Sequence, residues 1–217
     1  MFDLEGTLVE TVYERSSQSV DHLRRETKRK LIALGVSAEA LGGLVRSTLL
    51  LNLAFEWVET NMSRSESARF HAELDAFMKT FEMRSARLAR LYPDTLEALS
   101  TLAAGGIQMG VVTNTSREAA DHMLGSLGLA RFFRVVVTRS DAPRLKPDST
   151  MIRLAVGGME VPVGWLVGDT TYDAEAAKRA ELRSIIVRRD GIRPSFDHDH
   201  FVTTLTGVAP IVFEGAE

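Results

Sequence analysis

Ile107-Gln108-Met109-Gly110-Val111-Val112-Thr113-Asn114-Thr115-Ser116-Arg117-Glu118 is an apolar run that stops at a cluster of hydroxyl and amide side chains and then turns helical. From Ile107 to Val112 the run has the length and apolar content of a buried strand. Thr115 with Glu118 three residues on has the spacing of a capping box, which predicts a helix beginning there. A strand passing straight into a helix is half of a strand, helix, strand unit.

Downstream the alternation repeats, with apolar runs at Phe132 to Val137, Val163 to Val167 and Ser184 to Val187 and helical patterns between them. Upstream, Asp94 with Glu97 predicts a helix N-cap, and Gly105 and Gly106 predict its end. From residue 92 onward the pattern is that of a parallel sheet. Residues 14 to about 90 read differently, with few turn residues and apolar positions at helical spacing. Helices are predicted over Ser17 to Leu34, Glu39 to Glu59 and Ser63 to Leu91, broken near Gly35 and at Asn61. Strand character returns only at the extreme N-terminus. The expected fold class is therefore α/β, a Rossmann-like parallel sheet core of residues 1–13 and 92–217 with an inserted helical domain of residues 14–91. Met1 and Phe2 alone precede Asp3, whereas strands run to about five or six residues. The central strand is thus expected to be cut short and loosely held, either because the natural chain begins upstream or because a short strand is tolerated.

The 217 residues, 45% of them hydrophobic, suffice for one large core and a smaller accessory one. With 26 basic against 29 acidic residues the net charge is -3, which suggests neither a nucleic-acid nor a membrane partner and favours a small solute. The absence of cysteine excludes disulfides, thiol catalysis and cysteine-held metal. No run approaches the roughly 18 apolar residues of a membrane span, and no signal segment opens the chain, so a cytoplasmic protein is expected. The oligomeric state is left open.

The residues that carry chemistry fall in four segments. Asp3 and Glu5 stand two apart before Gly6-Thr7; Thr113 and Asn114 follow one strand; Lys146 precedes Pro147; and Asp169 and Asp173 follow another strand after Gly168. In open parallel sheets ligands sit at the carboxyl ends of strands, so these segments are expected to converge on one crevice. Carboxylates from two strand ends suit a hard cation such as Mg²⁺, which binds few carboxylates and favours phosphate. A hydroxyl, backbone amides and one lysine complete a phosphate cradle, and such a set can split ester hydrolysis into two steps through an aspartyl phosphate.

The four segments, in this order and setting, resemble the motifs of the haloacid dehalogenase-like (HAD) superfamily, in which an Asp-x-Asp-Gly-Thr motif is followed by a threonine or serine, a lysine and an acidic cluster. Asp3, Thr113, Lys146 and Asp169 with Asp173 match those positions, and the helical segment just after the first motif resembles the cap of the phosphoglycolate-phosphatase-like branch. The resemblance implies a Mg²⁺-dependent phosphatase acting on a small phosphorylated metabolite. Asp3 would attack phosphorus and ligate Mg²⁺; Glu5 would act as general acid and base and lend its backbone carbonyl to the metal. Thr113 and the amide of Asn114 would hold phosphate, Lys146 would offset the charge of nucleophile and phosphate, and Asp169 would ligate Mg²⁺. Asp173 would ligate through water or orient Lys146. Glu5 departs from the family's aspartate by one methylene, which alters the reach of a group that must protonate a leaving oxygen.

A phosphomutase or phosphonatase on the same scaffold, or a catalytically lapsed binding or regulatory module, are the rivals; a dehalogenase needs no metal and lacks the second carboxylate. The basic run Arg24, Arg25, Lys28, Arg29 and Lys30 reads as a solvated helix face. Asp197-His198-Asp199-His200 reads as a loop and strand edge, His122 has no serine partner, and Leu49 to Leu51, Phe55 and Trp57 read as core.

Overall fold

The computed structural model describes residues 1–43 and 46–215. Met1 to Asp3 lead into a short strand, β1 (Val9–Glu10), and then into four helices: α1 (Val12–Arg15), α2 (Ser17–Ala33), α3 (Ser47–Asn61) and α4 (Arg64–Arg87). β2 (Arg90–Leu91) returns the chain beside β1, antiparallel, pairing Val9 with Leu91 and Glu10 with Arg90. The remainder alternates: α5 (Thr95–Ala104), β3 (Met109–Val112), α6 (Arg117–Ser126), β4 (Phe133–Val137), α7 (Thr150–Gly157), β5 (Trp165–Gly168), α8 (Thr171–Arg179), β6 (Arg183–Val187), β7 (His200–Val202) and α9 (Val208–Glu214).

The sheet is parallel throughout, in the order β4, β3, residues 1–3, β5, β6, β7. The segment at the N-terminus is short but not loosely held. Phe2 N–H donates to Gly110 and Asp3 N–H to Val167, while Val112 and Val167 donate back to Phe2 and Met1, all at 2.8 Å. Phe2 is buried between the two strands. The chain leaves this centre first to one side, through β3 and β4, and then to the other, through β5 and β6; that reversal opens a crevice at the strands' carboxyl ends.

Apolar side chains explain the layers. One face of the sheet is covered by Leu99 and Leu102 of α5, Met123 of α6 and Val208 of α9; the other by Met151, Ile152 and Ala155 of α7 and Ala176 and Ala177 of α8. The second cluster runs on into Leu31, Leu50, Ala54, Phe70 and Leu74 of the helical segment, so both bodies share one apolar core.

Element ends shift for local reasons. Ile107 closes α5 by bonding its N–H to Leu102, so β3 begins only at Met109. The helix expected from Glu39 begins at Ser47, after Gly42 takes a positive φ of 59° that only glycine adopts readily; Leu44 and Val45, within that expected helix, lie outside the described residues. α4 starts at a true capping box, Ser63 with Glu66, and stops at Arg87 rather than Leu91 because Arg90 and Leu91 are taken by β2. Asp94 stands at the N-cap of α5 but caps nothing; its carboxylate instead accepts from Arg189 and from the N–H of Leu205. Thr115 is likewise not a cap. Ser116 holds that position, and its N–H goes to Glu82.

Candidate active site

All seven side chains singled out in the sequence, Asp3, Glu5, Thr113, Asn114, Lys146, Asp169 and Asp173, line one crevice of about 870 Å³ between the sheet and the helical segment. Backbone geometry puts them there. Asp3 follows the central segment, Thr113 and Asn114 follow β3, and Asp169 follows β5. Gly6 turns the chain with a positive φ of 83°, and a Cβ there would lie 2.5 Å from a carboxylate oxygen of Asp169. A Cβ on Gly168 would lie 2.2 Å from Cγ of Asp173. Both glycines are required by close approach to an acidic side chain.

Lys146 organises the centre. It is 2% exposed, and its three N–H donors are matched by three oxygens: Asp173 at 2.7 Å, Asp3 at 2.8 Å and the carbonyl of Val112 at 2.9 Å. Burial alone would lower the lysine's pKa; Asp173 and Asp3 overturn that and raise it, so it stays charged. Burial pushes Asp3 up to about 6, against the pull of Lys146. Asp173 also accepts from the N–H and hydroxyl of Thr170, capping α8.

Asp169 is held by the hydroxyl of Thr7 at 3.3 Å. Asp3, Asp169 and Asp173 each offer a carboxylate oxygen, all within 4.8 Å of one another. Three carboxylates against one ammonium leave a local charge of about -2, which repulsion in a buried setting makes costly unless a cation balances it. The donors are all oxygen, as a hard divalent cation requires.

The loops bearing these groups are tied down by Asn114 and by three residues the sequence reading did not single out, Asn52, Glu82 and Arg139. Asn114 accepts from the N–H of Lys146 at 3.0 Å and donates to its carbonyl at 3.2 Å. Asn52, in α3, does the same to Leu145, at 3.0 and 2.9 Å. Arg139, just past β4, is buried in a two-point ion pair with Glu82 of α4 at 2.9 and 3.1 Å, with Asp75 at 2.9 Å on its other side. Glu82 also receives Ser116 N–H, bracing the loop that carries Thr113. A lone asparagine in the run Leu49-Leu50-Leu51-Asn52-Leu53 is the signal that marks Asn52.

One other reading changes and one holds. Arg24 is not on a solvated face: it lines the crevice, with its Nε buried, whereas Arg29 of the same run is exposed. The Asp197 to His200 stretch is, as expected, a loop and strand edge: Asp199 accepts from Ser184, and His200 begins β7. Among the described residues no helix is long and apolar enough to cross a membrane.

Residues 1–187 match the family model of haloacid dehalogenase-like hydrolases. A phosphoglycolate phosphatase of Pseudomonas syringae is 29% identical over 191 residues, covering 85% of this chain and 67% of its own length. One from Cereibacter sphaeroides is 28% identical over 204 residues, covering 92% of this chain and 88% of its own. The chain thus spans about two thirds of the Pseudomonas relative. The crystal structure of a HAD phosphatase from Thermococcus onnurineus superposes with a TM-score of 0.60 at 21% identity, over 97% of this chain and 95% of that one, a likeness of fold.

Proposed function

The chain belongs to the haloacid dehalogenase-like hydrolases, and on that premise we propose that it is a Mg²⁺-dependent phosphomonoester hydrolase that works through an aspartyl phosphate on Asp3. The observation that carries this reading is the packing of Asp3 and Asp173 on one buried ammonium, with Asp169 beside them. Such a cluster is poised for a divalent cation and a phosphate dianion together.

Asp3 and Asp169, with the backbone carbonyl of Glu5, would hold Mg²⁺, and Asp173 would act through Lys146 or a water. When bound, the cation would offset the negative charge of carboxylates and phosphate. The free carboxylate oxygen of Asp3 attacks phosphorus as the bond to the leaving oxygen breaks, and Glu5 gives that oxygen a proton. Glu5 then takes a proton from water, which attacks phosphorus, frees phosphate and restores Asp3. Thr113 accepts from Thr115 N–H at 3.4 Å, which leaves its hydroxyl proton to donate to phosphate. Asn114's side chain is committed to Lys146, so its backbone N–H is its donor. The helical segment, residues 14–91, acts as a cap that excludes water and selects the leaving group. A small phosphorylated metabolite is the substrate, with phosphoglycolate one candidate, since the relatives named above act on it.

The test is hydrolysis of p-nitrophenyl phosphate by the purified protein with Mg²⁺ and with excess EDTA. Turnover that needs Mg²⁺ supports the reading; undiminished turnover in EDTA removes the metal from it. No turnover of any phosphomonoester, with Mg²⁺ still raising the melting temperature, turns the reading to a lapsed binding module.

A further inference from the structure

The crevice has a second wall. Opposite the carboxylates and Lys146 it is built from Val20, Leu23 and Arg24 of α2 and from Arg46, Ser47 and Thr48 at the start of α3. The arginines on the sheet side of the crevice are committed: Arg189 donates to the carbonyls of Gly6 and Thr7 and to Asp94, and Arg188 pairs with Asp190. The two on the helical side are less fully so. Arg46 makes no ion pair among the described residues, and its guanidinium carbon lies 5.5 Å from the centre of the Tyr172 ring. Among the described residues Arg24 pairs with Asp21 alone, at 3.0 Å, a carboxylate half open to solvent, and its buried Nε has no acceptor. Buried N–H groups without a partner are uncommon in folded proteins.

Tyr172 sits between Asp169 and Asp173 in the sequence and lines the same crevice as both arginines. Two guanidiniums therefore share the crevice wall with a ring whose neighbours in the chain belong to the acidic cluster. A guanidinium's flat array of donors matches the paired oxygens of carboxylate or phosphate. The crevice volume is well within the range that holds a leaving group of several carbons beyond the reacting phosphate.

We propose that Arg24 and Arg46 form a second anion subsite across Tyr172 from the reacting phosphate, so that the preferred substrates are phosphomonoesters whose leaving group carries another oxyanion, a carboxylate or a second phosphate. This rests on the phosphatase reading above and names the residues that choose among its substrates.

The experiment compares matched pairs on the full chain with Mg²⁺. 3-Phosphoglycerate is set against glycerol 3-phosphate, and fructose 1,6-bisphosphate against fructose 6-phosphate. The anionic member of at least one pair is expected to win by tenfold or more in kcat/KM, mainly through KM, and the pair that shows it says which anion is read. In the Arg24→Gln/Arg46→Gln double variant that ratio should fall to near one, with a far-ultraviolet circular dichroism spectrum like the parent's. Binding of 3-phosphonopropionate against propylphosphonate, by calorimetry, makes the carboxylate comparison without turnover. A preference there that the double variant loses supports the subsite even if no ester is hydrolysed, in which case only the phosphatase reading falls. Equal handling of both members of every pair by the wild type, or a preference that survives in the folded double variant, overturns the proposal.

Discussion

Asn52 and Leu145 form a reciprocal amide pair: the asparagine side chain of a cap helix gives to the carbonyl and takes from the N–H of the residue that precedes the buried lysine. Asn114 does the same one residue on, so two side chains clamp two successive residues. Asn52→Ala strips two partners from partly buried backbone groups, a loss of about 1–3 kcal/mol. It should also let Lys146 drift from Asp3. Since displacements near 1 Å can cost about 100-fold in rate, kcat should fall roughly 10- to 100-fold with KM little changed. Asn52→Asp, which keeps the acceptor and loses the donor, should fall between. Steady-state kinetics with thermal melting would check this; full kcat in a destabilised Asn52→Ala protein would reduce Asn52 to a structural brace.

Asp3 is held in its ionised form against the preference of its surroundings. Its carboxyl titrates near 6 in the folded protein and near 3.8 when unfolded, so between those values the folded state keeps more protons. Its favourable contribution is complete below pH 3.8 and is lost as pH rises through 6. The loss amounts to about 3 kcal/mol at most, taking 1.36 kcal/mol per unit. Without metal, Asp3→Asn should therefore melt higher than wild type at pH 7, by a margin that closes towards pH 4. Turnover should drop on the order of 10⁴ to 10⁶. An Asp3→Asn protein with more than a tenth of wild-type turnover would rule Asp3 out as nucleophile.

Glu5 lines the crevice with a side chain one methylene longer than an aspartate. General acid and base help is worth about 10² to 10⁴ in rate, chiefly for leaving groups that need a proton. Glu5→Gln should slow alkyl phosphates far more than aryl phosphates, and Glu5→Asp should preserve or raise turnover. If Glu5→Gln hydrolyses an alkyl phosphate as fast as wild type, Glu5 carries no proton.

Breaking the Glu82–Arg139 pair should be costly in stability, because the partner left behind is a buried guanidinium with only Asp75. For Glu82→Ala about 3–5 kcal/mol is expected, read as a lower urea midpoint. Arg139→Met with Glu82→Leu, which removes both charges, should recover much of that loss. A Glu82→Ala midpoint within experimental error of wild type would show that Asp75 alone suffices.

What could be read from the sequence was what short stretches decide for themselves. Gly168-Asp169 after an apolar run, Thr113 after Val112 and the Ser63 cap depend on neighbours a few residues away, and the structure shows them as strand ends and a helix start. Asp94 and Thr115 had the right residues for caps, yet tertiary partners took their place: Arg189 and Leu205 for the first, Glu82 by way of Ser116 for the second. Arg24 looked solvated because a helix face is polar or buried only in relation to what lies opposite, and that wall is more than 140 positions further on, at Tyr172. β1 and β2 are two residues each, too short for any periodicity to show.

Those two short strands have a further consequence. The chain leaves the sheet domain at Glu10 and re-enters at Arg90, and the two are paired across a single ladder. As far as the sheet is concerned, everything between them is the tip of a hairpin. The entropy of closing such a loop grows only with the logarithm of its length. A different helical segment, longer or shorter, could be spliced between the same two residues, provided it again supplied partners for Leu145 and Arg139 where Asn52 and Glu82 now stand. Divergence of substrate range can then proceed by exchange of one cassette while the chemistry is inherited unchanged.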